Sequence, residues 1–311
     1  MTIDLRTENT YTKYTDLMSA GRDTLATYLD VPEQQIVITC GATGALHAVF
    51  SHFSNSSLAI MPFEYFDIFT FAELHKCKLL ISLTKDNKQN DVQAFCKLIK
   101  QEQPKLIYIS LPNNPLGQNY SEDEVKEILA ALSPEQISVF DQTLLTKKPF
   151  TTSFFRKWAK DKQVIVIGSF SKSHNLVNER IGYMFMPCAT VEFHPYAYAP
   201  AAHSLKKMMH VVNNSDFARK TIQLIGTNNE LMKNWASKHT EFYWLDSNTN
   251  FGVLHARNMA IIDFAKKLAE ANVLVKTNND LKCPGNFLRI HLGEPSGKIR
   301  RFLKVLDYNS N

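Results

Sequence analysis

Between Ile36 and Met186 short apolar runs alternate with stretches of helical periodicity, and that alternation leaves few folds open. The runs fall at residues 36–39, 58–61, 78–82, 105–110, 137–140, 164–168 and 181–186. Runs of this length, closed by Gly, Pro, Asp or a polar cluster, read as interior strands. The intervening stretches read as helices, and Ser121 with Glu124 forms a capping box at the start of one over 122–132. Another helix is expected over 16–29, ahead of the first strand. Strand, helix, strand order demands crossover connections, and these give a mainly parallel sheet covered by helices on both faces. The expected class is therefore α/β, with a three-layer, mainly parallel large domain.

Beyond Pro200 the pattern changes. Helices are expected at 203–213 and 216–238, then strands at 242–245, 251–256, 273–276 and 287–292, with helices at 259–271 and 296–306. This is a smaller α+β C-terminal domain. A chain of 311 residues exceeds the usual single-domain size, so two domains are the natural expectation. The division expected is 15–220 for the large domain and 221–311, together with 1–14, for the small one.

Charge and cysteine usage remove several function classes. The formal net charge is only +5, with no basic stripe interleaved with aromatics, which argues against nucleic acid. No run of 18 apolar residues suggests a membrane span, and the N-terminal residues lack an apolar signal core. A cytoplasmic protein is expected. Cys40, Cys77, Cys96, Cys188 and Cys283 are widely spaced with no C-x-x-C, and the histidines lack metal-binding spacing. Neither a disulfide framework nor a metal is predicted.

The chemistry gathers where strands end. Residues 164–168 run into Ser169-Phe170-Ser171-Lys172-Ser173, and Arg180 follows eight residues after Lys172. Lys and Arg in loops are usually solvated surface charges. A lysine held at a strand end beside a second cation can instead have its pKa lowered enough to attack an aldehyde. Arg180 offers both that cation and a planar fork suited to phosphate. Gly41-Ala42-Thr43-Gly44, between a strand and a helix, suits an anion at a helix N-terminus, or simply close packing. Pro62-Phe63-Glu64-Tyr65 places aromatics at a strand exit, as a stack for a planar ligand or as a core plug. Asn114 is held between prolines after the strand at 105–110, and Asp141 follows the strand at 137–140. Arg289, alternating with apolar residues in a strand, is either a surface ion-pair partner or a bidentate site for a carboxylate. In parallel sheets ligands bind at the carboxyl ends of strands, so the coincidence outweighs any one motif.

In order and spacing, GATGAL, Asn114-Pro115-x-Gly117, Asp141, Ser169-Phe170-Ser171-Lys172, Asn178-Glu179-Arg180-Ile181-Gly182 and Arg289 resemble the class I/II aminotransferases. These are fold type I enzymes of the aspartate aminotransferase superfamily that use pyridoxal 5'-phosphate. The stretch around Tyr14 looks most like the histidinol-phosphate aminotransferase branch. The resemblance implies that Lys172 forms a Schiff base with the cofactor and shuttles protons, while Asp141 pairs with the pyridine nitrogen. It implies that Asn114 donates to the ring's phenolic oxygen, that Tyr65 stacks on the ring, and that Ala42, Thr43, Ser169 and Arg180 hold the phosphate. Arg289 would take the substrate carboxylate. A homodimer is implied, with Tyr14 reaching the neighbour's phosphate. Where the family commonly has Tyr three residues after the aspartate, this chain has Leu144, which is expected to shift the pH optimum. Family members also usually carry several tens more residues ahead of the Tyr14 region, where they often line the substrate pocket.

The function expected is ping-pong amino-group transfer between an amino acid and a keto acid. The alternatives are a decarboxylase, lyase or cyclase using the same cofactor, or a non-catalytic binding module on the same fold.

Overall fold

The structure is a computed structural model that describes residues 17–84, 88–144, 151–188, 191–193, 199–214 and 216–310. Its larger sheet contains β1 (Ile36–Cys40), β2 (Ser57–Ile60), β3 (Lys78–Ile81), β4 (Leu106–Ser110), β5 (Ile137–Asp141), β6 (Gln163–Ser169) and β7 (Ile181–Phe185). The strand order is β1-β7-β6-β5-β4-β2-β3. All neighbouring pairs are parallel except those made by β7, which runs against both β6 and β1. The connection from β6 to β7 is too short for a crossover to the far end of the sheet, so β7 returns antiparallel.

Strand residues alternate between two apolar layers, which is why the runs are apolar throughout. Leu106, Tyr108, Val139, Ile165 and Ile167 face α2 (Gly41–His52) and α3 (Asp67–Leu74), against Phe50 and Phe71. Ile107, Ile109, Phe140, Val164 and Val166 face the other way. They meet Phe95 of α4 (Val92–Glu102), Ile128 of α5 (Glu122–Ala131) and Phe155 of α6 (Thr152–Trp158). The capping box at Ser121 and Glu124 is formed as expected. α1 (Leu17–Leu29) packs beside α8 (Ala202–Val212), with Leu25, Ile38, Leu205 and Met208 fully or almost fully buried between them.

The smaller sheet is antiparallel, in the order β10 (Lys276–Thr277), β11 (Phe287–His291), β9 (Phe251–Ala256), β8 (Phe242–Leu245). Leu254, Leu288 and Ile290 pack on one face against α9 (Asp216–Ala236), α10 (Ile261–Glu270) and α11 (Ser296–Ser310). On the other face Val253 and Phe287 meet Phe63 and Leu116 of the larger unit. Arg289 and His291 share that second face by strand alternation.

Three local expectations change. The helix after β1 begins at Gly41 itself, with no intervening turn. Lys172 lies in a one-turn helix, α7 (Phe170–Ser173), rather than in an open loop. The strand expected at 273–276 shrinks to Lys276–Thr277. Val273 donates its N–H to Leu268 O at 2.8 Å, closing the end of α10, and Asn272 is left-handed (φ 59°). The backbone there is spent on the helix end and is not free to join the sheet. Among the described residues no helix is long and apolar enough to cross a membrane.

Gly168 pairs with Tyr183 across β6 and β7, and a Cβ at Gly168 would lie 2.1 Å from the Tyr183 ring. Tyr183 packs against both the α1 side and the α4–α6 side of the core, so its ring has little room to retreat. Gly168→Ala is expected to destabilise the protein by about 1–3 kcal/mol, measured by urea unfolding.

Candidate active site

The carboxyl ends of the parallel strands and the inner face of the smaller sheet enclose a cleft of about 1240 Å³. Ala42, Thr43, Tyr65, Asn114, Asp141, Ser169, Lys172, Arg180 and Arg289 all line it. Tyr14 lies outside the described residues.

One end of the cleft is built for an anion. α2 begins at Gly41, so the N–H groups of its first turn lack intrahelical acceptors. Arg180 is held over this turn, its Nη2 3.4 Å from Thr43 Oγ1 and its Nη1 donating to Val177 O at 3.1 Å. Gly41 has φ 68°, and a Cβ there would lie 3.0 Å from Arg180 Nη2. Gly182 is closer still, since a Cβ on it would meet Ala42 N at 2.7 Å. Glycine at 41 leaves room for the guanidinium, and glycine at 182 lets β7 lie against the backbone of the helix start. Ser169 Oγ accepts from Ser171 N at 3.1 Å and caps α7, keeping both hydroxyls at the same end.

Asp141, nearly buried at the end of β5, accepts from Tyr108 Oη at 2.7 Å and from Thr143 N at 2.9 Å. Burial pushes its carboxyl above the ordinary value, and these bonds oppose the shift. A buried carboxylate of this kind is completed by a cation set against it. Lys172 is shifted the other way. Burial, then Arg289, then Arg180, hold its ammonium below 10.5, which favours the neutral amine. Leu144 also lines the cleft and offers no hydroxyl there.

Arg289 Nη1 donates to Asn114 Oδ1 at 3.0 Å, and its guanidinium lies over the Phe251 ring at 4.8 Å. Asn114 is fixed in turn through its N–H, which Ser110 Oγ accepts at 3.0 Å. The Ser110 hydroxyl donates to Glu64, a wholly buried acid whose pKa burial pushes well up. Tyr65 donates its hydroxyl to Asp67, so its ring is anchored from its own helix start.

Sequence reasoning missed Tyr108, Ser110 and Glu64 as supports, and Lys276 and His291 as lining residues. For His291 a signal existed, because it stands two positions after Arg289 in one strand. Tyr108 gave none, because a tyrosine in an apolar strand looks like core.

The donor set fits pyridoxal phosphate: an anion cradle, a buried carboxylate for a ring nitrogen, and an amine of lowered pKa lining the same cleft. Residues 2–306 match the profile of the family described as aminotransferase class I and II. The chain belongs to this family. Membership makes it a pyridoxal-phosphate-dependent aminotransferase. It is 28% identical over 295 residues to the histidinol-phosphate aminotransferase of Campylobacter jejuni strain RM1221, covering 89% of this chain and 78% of that protein. Among solved structures, the fold is similar to that of the histidinol-phosphate aminotransferase from Clostridium acetobutylicum. The TM-score there is 0.83 at 15% identity, covering 96% and 91% of the two chains. The histidinol-phosphate aminotransferase from Sinorhizobium meliloti, solved with pyridoxal-5'-phosphate, superposes with TM-score 0.79 at 18% identity, covering 96% and 83%.

The position of Lys172 between two cations gives a signed prediction. Removing Arg289 relieves a repulsion that disfavours the ammonium, so the lysine pKa rises. In Arg289→Ala, the pH midpoint for acylation of Lys172 in cofactor-free protein, followed by peptide mass, moves upward from its native position.

Proposed function

We propose that the chain transfers an amino group from a donor carrying a second anionic group to a keto acid, by a ping-pong route, as a cytoplasmic homodimer. The observation that carries the transfer reading is the convergence of Lys172, Asp141, Arg180 and Arg289 on one cleft. The charge of the wall supports the substrate class. With Arg180 given to the cofactor phosphate and Arg289 to the α-carboxylate, Lys276 and Arg301 still face the cleft. Lys276 stands directly opposite Arg289 in the β10–β11 pairing. Among the described lining residues the carboxylates are Asp141 and Glu294, and Glu294 is paired with Lys298 at 3.2 Å. Histidinol phosphate, the compound in the name of the Campylobacter relative, differs from this class in carrying a single anionic group, a phosphate in the place of a carboxylate.

Bound pyridoxal phosphate supplies the electron sink that makes the substrate Cα acidic. The protein supplies the rest. Arg180, Ser169 and the Ala42 and Thr43 N–H groups would hold the phosphate. Asp141, braced by Tyr108 and Thr143, would hold the protonated ring nitrogen. Asn114 would donate to the ring's phenolic oxygen, and Tyr65 would stack on the ring. Lys172 Nζ would hold the aldehyde and, once displaced from it by the substrate amine, would take and return the Cα proton, a task helped by the shift of its ammonium toward the neutral amine. Arg289 fixes the α-carboxylate so that the Cα–H bond is presented to the lysine.

Borohydride reduction of the cofactor-loaded protein is expected to leave the cofactor's mass on the Lys172 peptide. A panel of amino donors should release the corresponding keto acids, with anionic donors fastest. Lys172→Ala is expected to lower turnover by at least about a hundred- to ten-thousandfold. An unlabelled Lys172 peptide, or carbon dioxide released in place of a keto acid, would overturn this reading.

A further inference from the structure

His291 has no part in the chemistry described so far, and its ring stands exposed in the cleft with one nitrogen against a buried amide. It lies on β11 two positions beyond Arg289, on the same face, about 7 Å along the strand by the usual rise per residue. The ring lines the cleft. Its Nε2 is 2.9 Å from Asn250 Nδ2, and Asn250 is itself buried, with its backbone O accepting Leu292 N at 2.7 Å. On another side the ring rests on Gly293, where a Cβ would lie 2.8 Å from the imidazole Cε1. One ring nitrogen is thus clasped by a buried amide. Nδ1 has no protein partner among the described residues. Lys172, Arg289 and Lys298 add positive charge around the ring and Glu294 adds negative charge.

We propose that His291 determines substrate specificity: Asn250 and Gly293 fix its ring so that Nδ1–H donates to an oxyanion on the substrate side chain while Arg289 holds the α-carboxylate. Asn250 Nδ2–H donates to Nε2, which leaves the proton of the neutral ring on Nδ1. Burial, followed by Lys172, keeps the imidazole below its ordinary pKa and therefore neutral at pH 7. The substrate class is an amino acid or amine with a carboxylate or phosphate set one strand step from its first anchoring point. This inference rests on the carboxylate role given to Arg289.

Calorimetric titration of the cofactor-loaded protein with two ligands that carry no amine, succinate and butyrate, tests it without turnover. The native protein is expected to bind succinate more tightly than butyrate. His291→Leu is expected to weaken succinate about ten- to a hundredfold, the worth of one hydrogen bond to a charged acceptor, and to leave butyrate unchanged. His291→Asn, which restores an N–H near the Nδ1 position, should keep the native preference. If His291→Leu fails to load cofactor, His291→Ser carries the same expectation. A succinate-to-butyrate ratio that is absent in the native protein, unmoved by loss of the imidazole, or raised by it overturns the proposal. Arg289→Ala serves as the separate control. Butyrate binding unaffected by that change means that the carboxylate role of Arg289 has failed, whatever the His291 variants do.

Discussion

The site depends on holding a buried carboxylate and a half-buried amine on one cleft, each pushed toward its neutral form. Asp141 is almost wholly buried, and an isolated charge in such a place is costly enough that the group would normally take up a proton. Two donors, Tyr108 Oη and Thr143 N, offset part of that cost and aim the carboxylate. Lys172, reached from the neighbouring strand, is pressed toward neutrality by burial and two guanidinium groups. The opposite shifts suit the opposite tasks proposed for them, one to hold a positive ring nitrogen and the other to move protons.

The arrangement of strands places both groups. β5 and β6 are parallel neighbours, so Asp141 and Ser169 emerge from the same edge of the sheet, with Lys172 one helical turn further on. β7 returns antiparallel and delivers Arg180 to that same edge, against the start of α2. Among the described residues, the larger unit thus carries the groups proposed to hold the cofactor. The smaller sheet closes the substrate side, chiefly through Arg289 and its bond to Asn114. A chain of bonds running from Glu64 through Ser110 to Asn114 stiffens the loop that receives it. In the proposed role, binding a substrate carboxylate at Arg289 means exchanging the neutral Asn114 amide for a charged partner.

Polar residues on the cleft side of the smaller sheet owe their placement to period-two alternation. Leu288 and Ile290 enter its core, and Arg289 and His291 are therefore left on the cleft side. Lys276 joins them because it is the cross-strand partner of Arg289. Lys276 and Arg289 on one wall, with His291 beside them, give the substrate side its own preference for anions, separate in place from the cradle at α2.

Much of this was legible in the chain. Apolar runs of strand length broken by helical stretches specified a mainly parallel sheet, because backbone groups buried on both faces leave few other solutions. Strand exits and the family resemblance together point to residues 42, 43, 65, 114, 141, 169, 172 and 180, and Arg289 stands out by alternation within its own strand. Local patterning could not reveal contacts between elements far apart in sequence. Arg289 meets Asn114 across 175 positions, Glu64 meets Ser110 across 46, and Tyr108 meets Asp141 across 33. Nor could it show that residues 273–275 would close a helix rather than extend a strand, since both uses satisfy the same apolar pattern. Sequence periodicity determines which face a side chain takes. Register between strands and the approach of one sheet to the other decide which partner it finds there, because those depend on packing summed over the whole molecule.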